Sequence, residues 1–259
     1  MPEHVKAITS RDNPLLLRLR KLAADPAGYR KLGEVWIEGE HLCAACAQRG
    51  VPASQAVITE EAWQQPALRA LASGAAAVAV VPAPLMAVLS TLESPAPLCF
   101  VVPWAGPGVL DPQQPSVVLD RLQDAGNVGN ILRSAAAFGC SQIVAIKGTA
   151  ALWSPKVLRA GMGAHFGLRL VEAVSEDALD ALTLPMFATS SHAALAIHEA
   201  TLPWPCAWVL GHEGQGVSAA LMKRCAQSLR IPQPGGEESL NVAAAAAICL
   251  YESARQRTR

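Results

Sequence analysis

The chain has 259 residues, of which 51% are hydrophobic and 16% charged, with 21 basic side chains against 21 acidic. That length suffices for one large or two ordinary domains with a buried core, and the apolar content excludes extensive disorder. A net charge of zero argues against a broad electrostatic footprint for nucleic acid.

The charge is unevenly spread. Residues 1–31 carry seven Lys/Arg against three Asp/Glu, residues 32–115 two against seven, and residues 116–259 twelve against eleven. The basic N-terminal arm, with Arg11, Arg18, Arg20 and Lys21, suits local phosphate contact. Charges in residues 1–13, where a signal peptide needs an apolar core, predict a cytoplasmic location. Apolar residues at helical spacing predict a helix over 15–22, then a strand at 34–38 and a helix over 39–49. Cys43 and Cys46 form a C-x-x-C inside that helix without a second pair at zinc spacing. They are therefore read as small buried residues, and no metal site is expected. Strands at 55–59, 77–81 and 98–102, with a helix over 60–72, complete a small α/β unit. The uncharged stretch 70–92 is long enough to span a bilayer, but Pro82 and Pro84 in its middle favour a strand, a turn and a short helix.

Residues 103–115 hold four prolines and two glycines, which no helix or central strand accommodates, and mark a linker between domains 1–102 and 116–259. Beyond it, apolar runs at 116–119, 142–147, 168–171, 186–189, 206–210 and 228–231 read as strands of a parallel sheet covered on both faces. Helices are expected over 129–138, 155–160, 176–182 and 219–226, with Ser154 and Ser218 as N-caps. A long C-terminal helix runs over 242–257.

Three loops of this second domain carry the candidate chemistry. In 119–139, Gly126 and Gly129 suggest tight turns, Asn127 offers an amide, and Arg133 on the following helix suits a phosphate or equally a solvated surface. In 209–218, Gly211, Gly214 and Gly216 surround Glu213, as close ligand approach or a plain tight turn would require. In 231–241, Ser239 and Asn241 precede the last helix and could simply cap it. No G-x-G-x-x-G with its downstream acid is present, which disfavours a dinucleotide enzyme.

Together the segments Asn127-x5-Arg133, Gly211-x-Glu213-x-x-Gly216-x-Ser218 and Ile231-Pro…Glu238-Ser-Leu-Asn-Val242 resemble motifs 1, 2 and 3 of the SpoU/TrmH branch of the SPOUT RNA methyltransferases. Residues 8–14 and 37–41 are similar to that family's ribosomal-protein-like substrate-binding domain. Gln233 departs from the methionine the family often carries there, and Ala243 from its serine.

The resemblance implies an α/β SPOUT domain with a parallel sheet and a deep trefoil knot, behind a small N-terminal α/β domain that holds the RNA. It implies S-adenosylmethionine as cofactor, held by Leu210, Gly211, Gly216, Ile231 and Leu240. Asn127, Arg133, Glu213, Ser239 and Asn241 would face the methyl group and the RNA. The implied activity is 2′-O-ribose methylation of a structured RNA, ribosomal RNA ahead of transfer RNA, by a homodimer packed through its C-terminal region, with neither DNA nor membrane as partner. A non-catalytic RNA-binding protein on the same fold is the competing reading. Arg133 is expected to clamp a phosphate and stabilise the developing alkoxide rather than to act as base, because a guanidinium does not deprotonate at neutral pH. The proton then passes to a bound phosphate oxygen, a water or Glu213.

Overall fold

A computed structural model describes residues 4–235 and 239–258. Gly236, Glu237 and Glu238, which belong to the third motif, lie outside the described residues. The chain forms two units, Met1–Gly106 with Trp153–Phe166, and Pro107–Leu152 with Gly167–Arg259. The break at Gly106 falls inside the proline-rich stretch, but residues 153–166, which the sequence places in the second domain, join the first.

The first unit begins with β1 (Val5–Ala7), α1 (Pro14–Ala24), α2 (Gly28–Leu32), β2 (Glu34–Glu38) and α3 (Glu40–Gln48). It continues through β3 (Gln55–Thr59), α4 (Glu60–Trp63), α5 (Pro66–Ser73), β4 (Val78–Val81), α6 (Ala83–Leu89) and β5 (Leu98–Pro103). Asn13 caps α1 by accepting the Leu15 N–H, with Pro14 at the first helical position. The expected helix over 60–72 is two helices, because Pro66 has no N–H to continue the first turn and instead opens α5. The sheet order is β1-β4-β3-β5-β2, with β2 and β3 antiparallel to β5 and the remaining pairs parallel. β1 and α2 were not expected, being three and five residues long. Cys43 and Cys46 are fully buried, and burial pushes the Cys46 thiol up to about 11, so neither is a reactive thiolate at neutral pH. No described helix is long and apolar enough to cross a membrane.

The second unit opens with β6 (Ser116–Leu119), α7 (Ala125–Ala137) and β7 (Gln142–Ile146). The chain then contributes α8 (Pro155–Gly161) to the first unit and returns as β8 (Arg169–Val174), β9 (Met186–Thr189), β10 (Ala207–Leu210), α9 (Ala219–Arg224), β11 (Gln227–Leu229) and α10 (Val242–Arg257). Residues 176–181 form a 3-10 helix where an α-helix was expected. All six strands are parallel, in the order β11-β9-β10-β6-β7-β8. Alternate residues of five strands (Val118, Val144, Val171, Ala188 and Val209) build one core face, closed by Leu179 and by Leu221 of α9. The opposite face carries Trp208, whose Nε1 donates to Ser253 Oγ of α10 at 2.9 Å. The buried positions of α7 (Val128, Ile131, Leu132 and Ala135) fall at helical spacing on one side.

α7 starts four residues earlier than expected. Asp124 caps it by accepting the Asn127 N–H at 2.7 Å, so Gly126, Asn127 and Gly129 lie inside a helix rather than in a turn. The alanine run of α10 buries Ala243 and Ala246 against its own chain, while Ile248 and Tyr251 stay exposed.

Candidate active site

Because every strand of the second sheet is parallel, all its carboxyl ends share one edge, where ligands of open α/β sheets bind. The loops after β9, β10 and β11 and the start of α10 enclose a pocket of about 640 Å³ there, within the 300–1,000 Å³ typical of small-molecule sites. Its walls are Thr189–His192, Gly211–Val217 with Met222, Ile231 with Gln233, and Ser239–Val242 with Ala245.

The β10 loop folds back on itself. A Cβ at Gly211 would stand 2.1 Å from both the Gly216 carbonyl carbon and the Val217 nitrogen, closer than any side chain permits. Gly216 itself has φ 69, in the region glycine adopts without strain.

Glu213, on the same loop, reaches back to the segment that opens α7. Its carboxylate accepts the backbone N–H groups of Gln123 and Asp124, each at 3.1 Å, and the Asn127 side-chain amide at 3.3 Å. Desolvation by itself raises its pKa, but these amide donors, with its own backbone N–H, outweigh it and hold Glu213 below its ordinary value. Asn127 Oδ1 in turn accepts from Asn241 Nδ2 at 3.0 Å. Asn241 also caps α10, its Oδ1 accepting the Ala243 and Ala244 N–H groups at 2.9 and 3.3 Å. One hydrogen-bonded chain, Glu213–Asn127–Asn241, thus joins the β10 loop, the first turn of α7 and the cap of α10, across 86 and 114 positions in sequence.

Of the ten positions singled out for chemistry or cofactor, seven line the pocket: Glu213, Ser239, Asn241, Gly211, Gly216, Ile231 and Leu240. Asn127 touches it through Glu213 and Asn241. Leu210 does not line it: this last residue of β10 is buried, and its carbonyl accepts the Asp120 N–H at 2.9 Å. Arg133 is also outside the lining, exposed on α7 and free of hydrogen bonds and ion pairs among the described residues. In the basic arm, Arg11, Arg20 and Lys21 are exposed, whereas Arg18 is held by Glu34, with Nη1 at 2.8 Å from both carboxylate oxygens.

Sequence reasoning missed Thr189–His192 and Gln233. The first segment begins at the last residue of a correctly read strand and turns polar there, and the carboxyl-end rule applied to every strand would have found it. Gln233 Oε1 is buried without a hydrogen-bond partner among the described residues, an acceptor at the pocket wall that a ligand donor would satisfy. The residues present fit a nucleoside-bearing cofactor: a backbone stripped of side chains at Gly211, apolar faces at Ile231 and Leu240, and an unsatisfied amide oxygen. No group of metal-ligating side chains occurs among the described residues.

Comparison with known proteins agrees with this geometry. The sequence pattern of the SpoU rRNA methylase family matches residues 114–251. A Synechocystis protein named as an uncharacterised tRNA/rRNA methyltransferase is 33% identical over 264 aligned residues, covering 98% of this chain and 95% of that one. A Bacillus subtilis 23S rRNA guanosine 2′-O-methyltransferase is 35% identical over 52% of this chain and 56% of its own length. Among solved structures, an RNA 2′-O ribose methyltransferase superposes with a TM-score of 0.82 at 31% identity, over 98% of this chain and all of the other. An AdoMet-bound rRNA methyltransferase from Sinorhizobium meliloti superposes with a TM-score of 0.86 at 25% identity, over 97% and 98% of the two chains. With Glu213 and Asn241 lining one pocket, Asn127 hydrogen-bonded to both, and the likeness running nearly end to end, this chain belongs to the SpoU rRNA methylase family.

Proposed function

We propose that the protein transfers the methyl group of S-adenosylmethionine to a ribose 2′-hydroxyl of RNA, with ribosomal RNA as the substrate class. The observation that carries this is the Glu213–Asn127–Asn241 chain at the edge of the pocket, which assembles the three family motifs into one site. The relatives support ribosomal RNA, since the Bacillus subtilis protein is a 23S rRNA methyltransferase and the Sinorhizobium meliloti protein an rRNA methyltransferase. An intact polar network favours an enzyme over a retired RNA-binding fold.

Bound S-adenosylmethionine supplies an electrophilic methyl on a sulfonium. Gly211, Gly216, Ile231 and Leu240 would hold it through backbone and apolar contacts, with Gln233 offering its amide oxygen. Glu213 acts as a tie between loops. A carboxylate held below its ordinary pKa, with both oxygens already accepting N–H groups, is a poor acceptor for a hydroxyl proton. That leaves a phosphate oxygen or a water to take it. Arg133, exposed and unpaired among the described residues, is free to clamp RNA phosphate and to stabilise charge as the 2′-oxygen reacts.

Three further parts belong to the same proposal. The all-parallel sheet and its strand order support the deep trefoil knot of the family. Exposed Ile248 and Tyr251 on α10 support a homodimer through that helix. The N-terminal unit serves as the RNA-holding domain, with Arg11, Arg20 and Lys21 exposed for phosphate, and a ribosomal substrate agrees with a cytoplasmic location. Incubation of the purified protein with S-adenosylmethionine and total RNA, followed by nucleoside mass spectrometry and site mapping, is expected to reveal a new 2′-O-methyl nucleotide in ribosomal RNA. Methylation confined to a base, or absent, overturns the proposal.

A further inference from the structure

The loop that walls the pocket is tied back at two points. Glu213 is one grip. The other is at the loop's last residue, Ser218, whose backbone N–H donates to Asp120 Oδ2 at 2.7 Å just where its Oγ caps α9 by accepting the Leu221 N–H at 3.3 Å. Asp120 follows the last residue of β6 and is fully buried. A buried carboxylate is tolerated only with partners that offset its lost hydration, here the Ser218 amide and a cation.

Arg121 supplies it. Its Nε donates to Asp120 Oδ1 at 2.7 Å and its Nη2 to Oδ2 at 3.3 Å, a side-on pair. The hydrogen bond to Asp120, and then its charge, raise the Arg121 pKa further above the arginine value. Yet Arg121 has φ 57, a backbone conformation that glycine adopts freely and a branched or long side chain does not. The turn calls for glycine, and the carboxylate calls for arginine.

We propose that Arg121 is a positioning residue for the cofactor pocket. By neutralising Asp120 it fixes the Ser218 amide, and through Ser218 it sets Gly216 and Val217, which line the pocket while Arg121 itself does not. This rests on the pocket being the S-adenosylmethionine site.

The test compares Arg121→Gly, Arg121→Gln and Arg121→Lys with the parent in steady-state RNA methylation and in calorimetric titration with S-adenosylmethionine. In the glycine and glutamine variants KM for S-adenosylmethionine is expected to rise about tenfold, with kcat within about twofold, as loss of one charge-assisted anchor predicts. Arg121→Lys, which restores a cation, is expected to recover most of that loss, which a general fault in folding would not. The glutamine variant carries the test should the glycine variant fail to melt cooperatively. A parental KM in either neutral variant, or a lysine variant no better than them, overturns the inference while the pocket's reading stands. Absence of S-adenosylmethionine binding by the parent overturns that reading and the inference with it.

Discussion

Replacing Gly211 by alanine tests the pocket at its tightest point. The added methyl would lie 2.1 Å from the Gly216 carbonyl carbon and the Val217 nitrogen and 2.5 Å from the Gly216 oxygen, all backbone atoms that no rotamer change can move aside. Relief to an ordinary carbon contact requires residues 216–217 to move outward by roughly 1.5 Å. That pulls Ser218 away from Asp120, to which it is bonded at 2.7 Å. Overpacking costs about 1–3 kcal/mol, and a strained hydrogen bond to a charged group adds about 1 kcal/mol more. A loss of about 2–4 kcal/mol corresponds to a fall of roughly 4–16 °C in the melting temperature of a domain this size. Differential scanning fluorimetry and calorimetric titration with S-adenosylmethionine read the two consequences, lower stability and weaker cofactor binding. Gly214→Ala is the control for stability, since a Cβ added there would meet nothing closer than a His212 ring nitrogen at 3.8 Å. A Gly211→Ala protein that melts within about 1 °C of the parent and binds the cofactor within about twofold would refute the close-approach reasoning.

Other expectations concern the network and the arginine. Arg133→Ala should lower turnover at least a hundredfold, roughly the loss seen when one transition-state donor is removed, while S-adenosylmethionine binding by titration survives because Arg133 does not line the pocket; loss of both together contradicts this division. Asn241→Asp keeps the oxygen that caps α10 but removes the Nδ2 donor to Asn127, so turnover should fall with the melting temperature nearly unchanged. Asn241→Ala should also lower stability by about 1 kcal/mol, measurable by denaturant titration. Glu213, with its folded pKa below the ordinary carboxylate value, keeps its loop tie above its unfolded pKa of about 4.3 and loses it only as pH falls through the lower folded value. S-adenosylmethionine affinity should therefore be free of any Glu213-dependent change between pH 5 and 8, and an acid limb near pH 6 that vanishes in Glu213→Gln would contradict it.

Much of this fold was legible along the chain because parallel strands covered on both faces read as short, nearly unbroken apolar runs bounded by glycine and proline. Residues 116–119 and 186–189 of the second sheet, and 34–38 and 55–59 of the first, are strands with the expected ends. The helix caps at Ser154 and Ser218 were equally local, since a hydroxyl just before an apolar-periodic stretch satisfies the first free amides there. α7 was misread at its start because Gly126 and Gly129 signal a turn by propensity, while the Asp124 cap and the packing of Val128 and Ile131 outweigh that propensity.

The sequence alone determined which residues were available for chemistry, since motif order and spacing are one-dimensional facts. Only the tertiary structure decided which of them meet. β10 lies between β9 and β6, and that strand order brings Glu213 to Gln123, Ser218 to Asp120, and Thr189–His192 to the pocket wall. The same order leaves Leu210 sealed inside the sheet and Arg133 on the outer surface of its helix. Local propensity acts over a few residues, whereas these contacts span 86 to 114 positions and arise only when burial of the whole sheet sets the order of its strands.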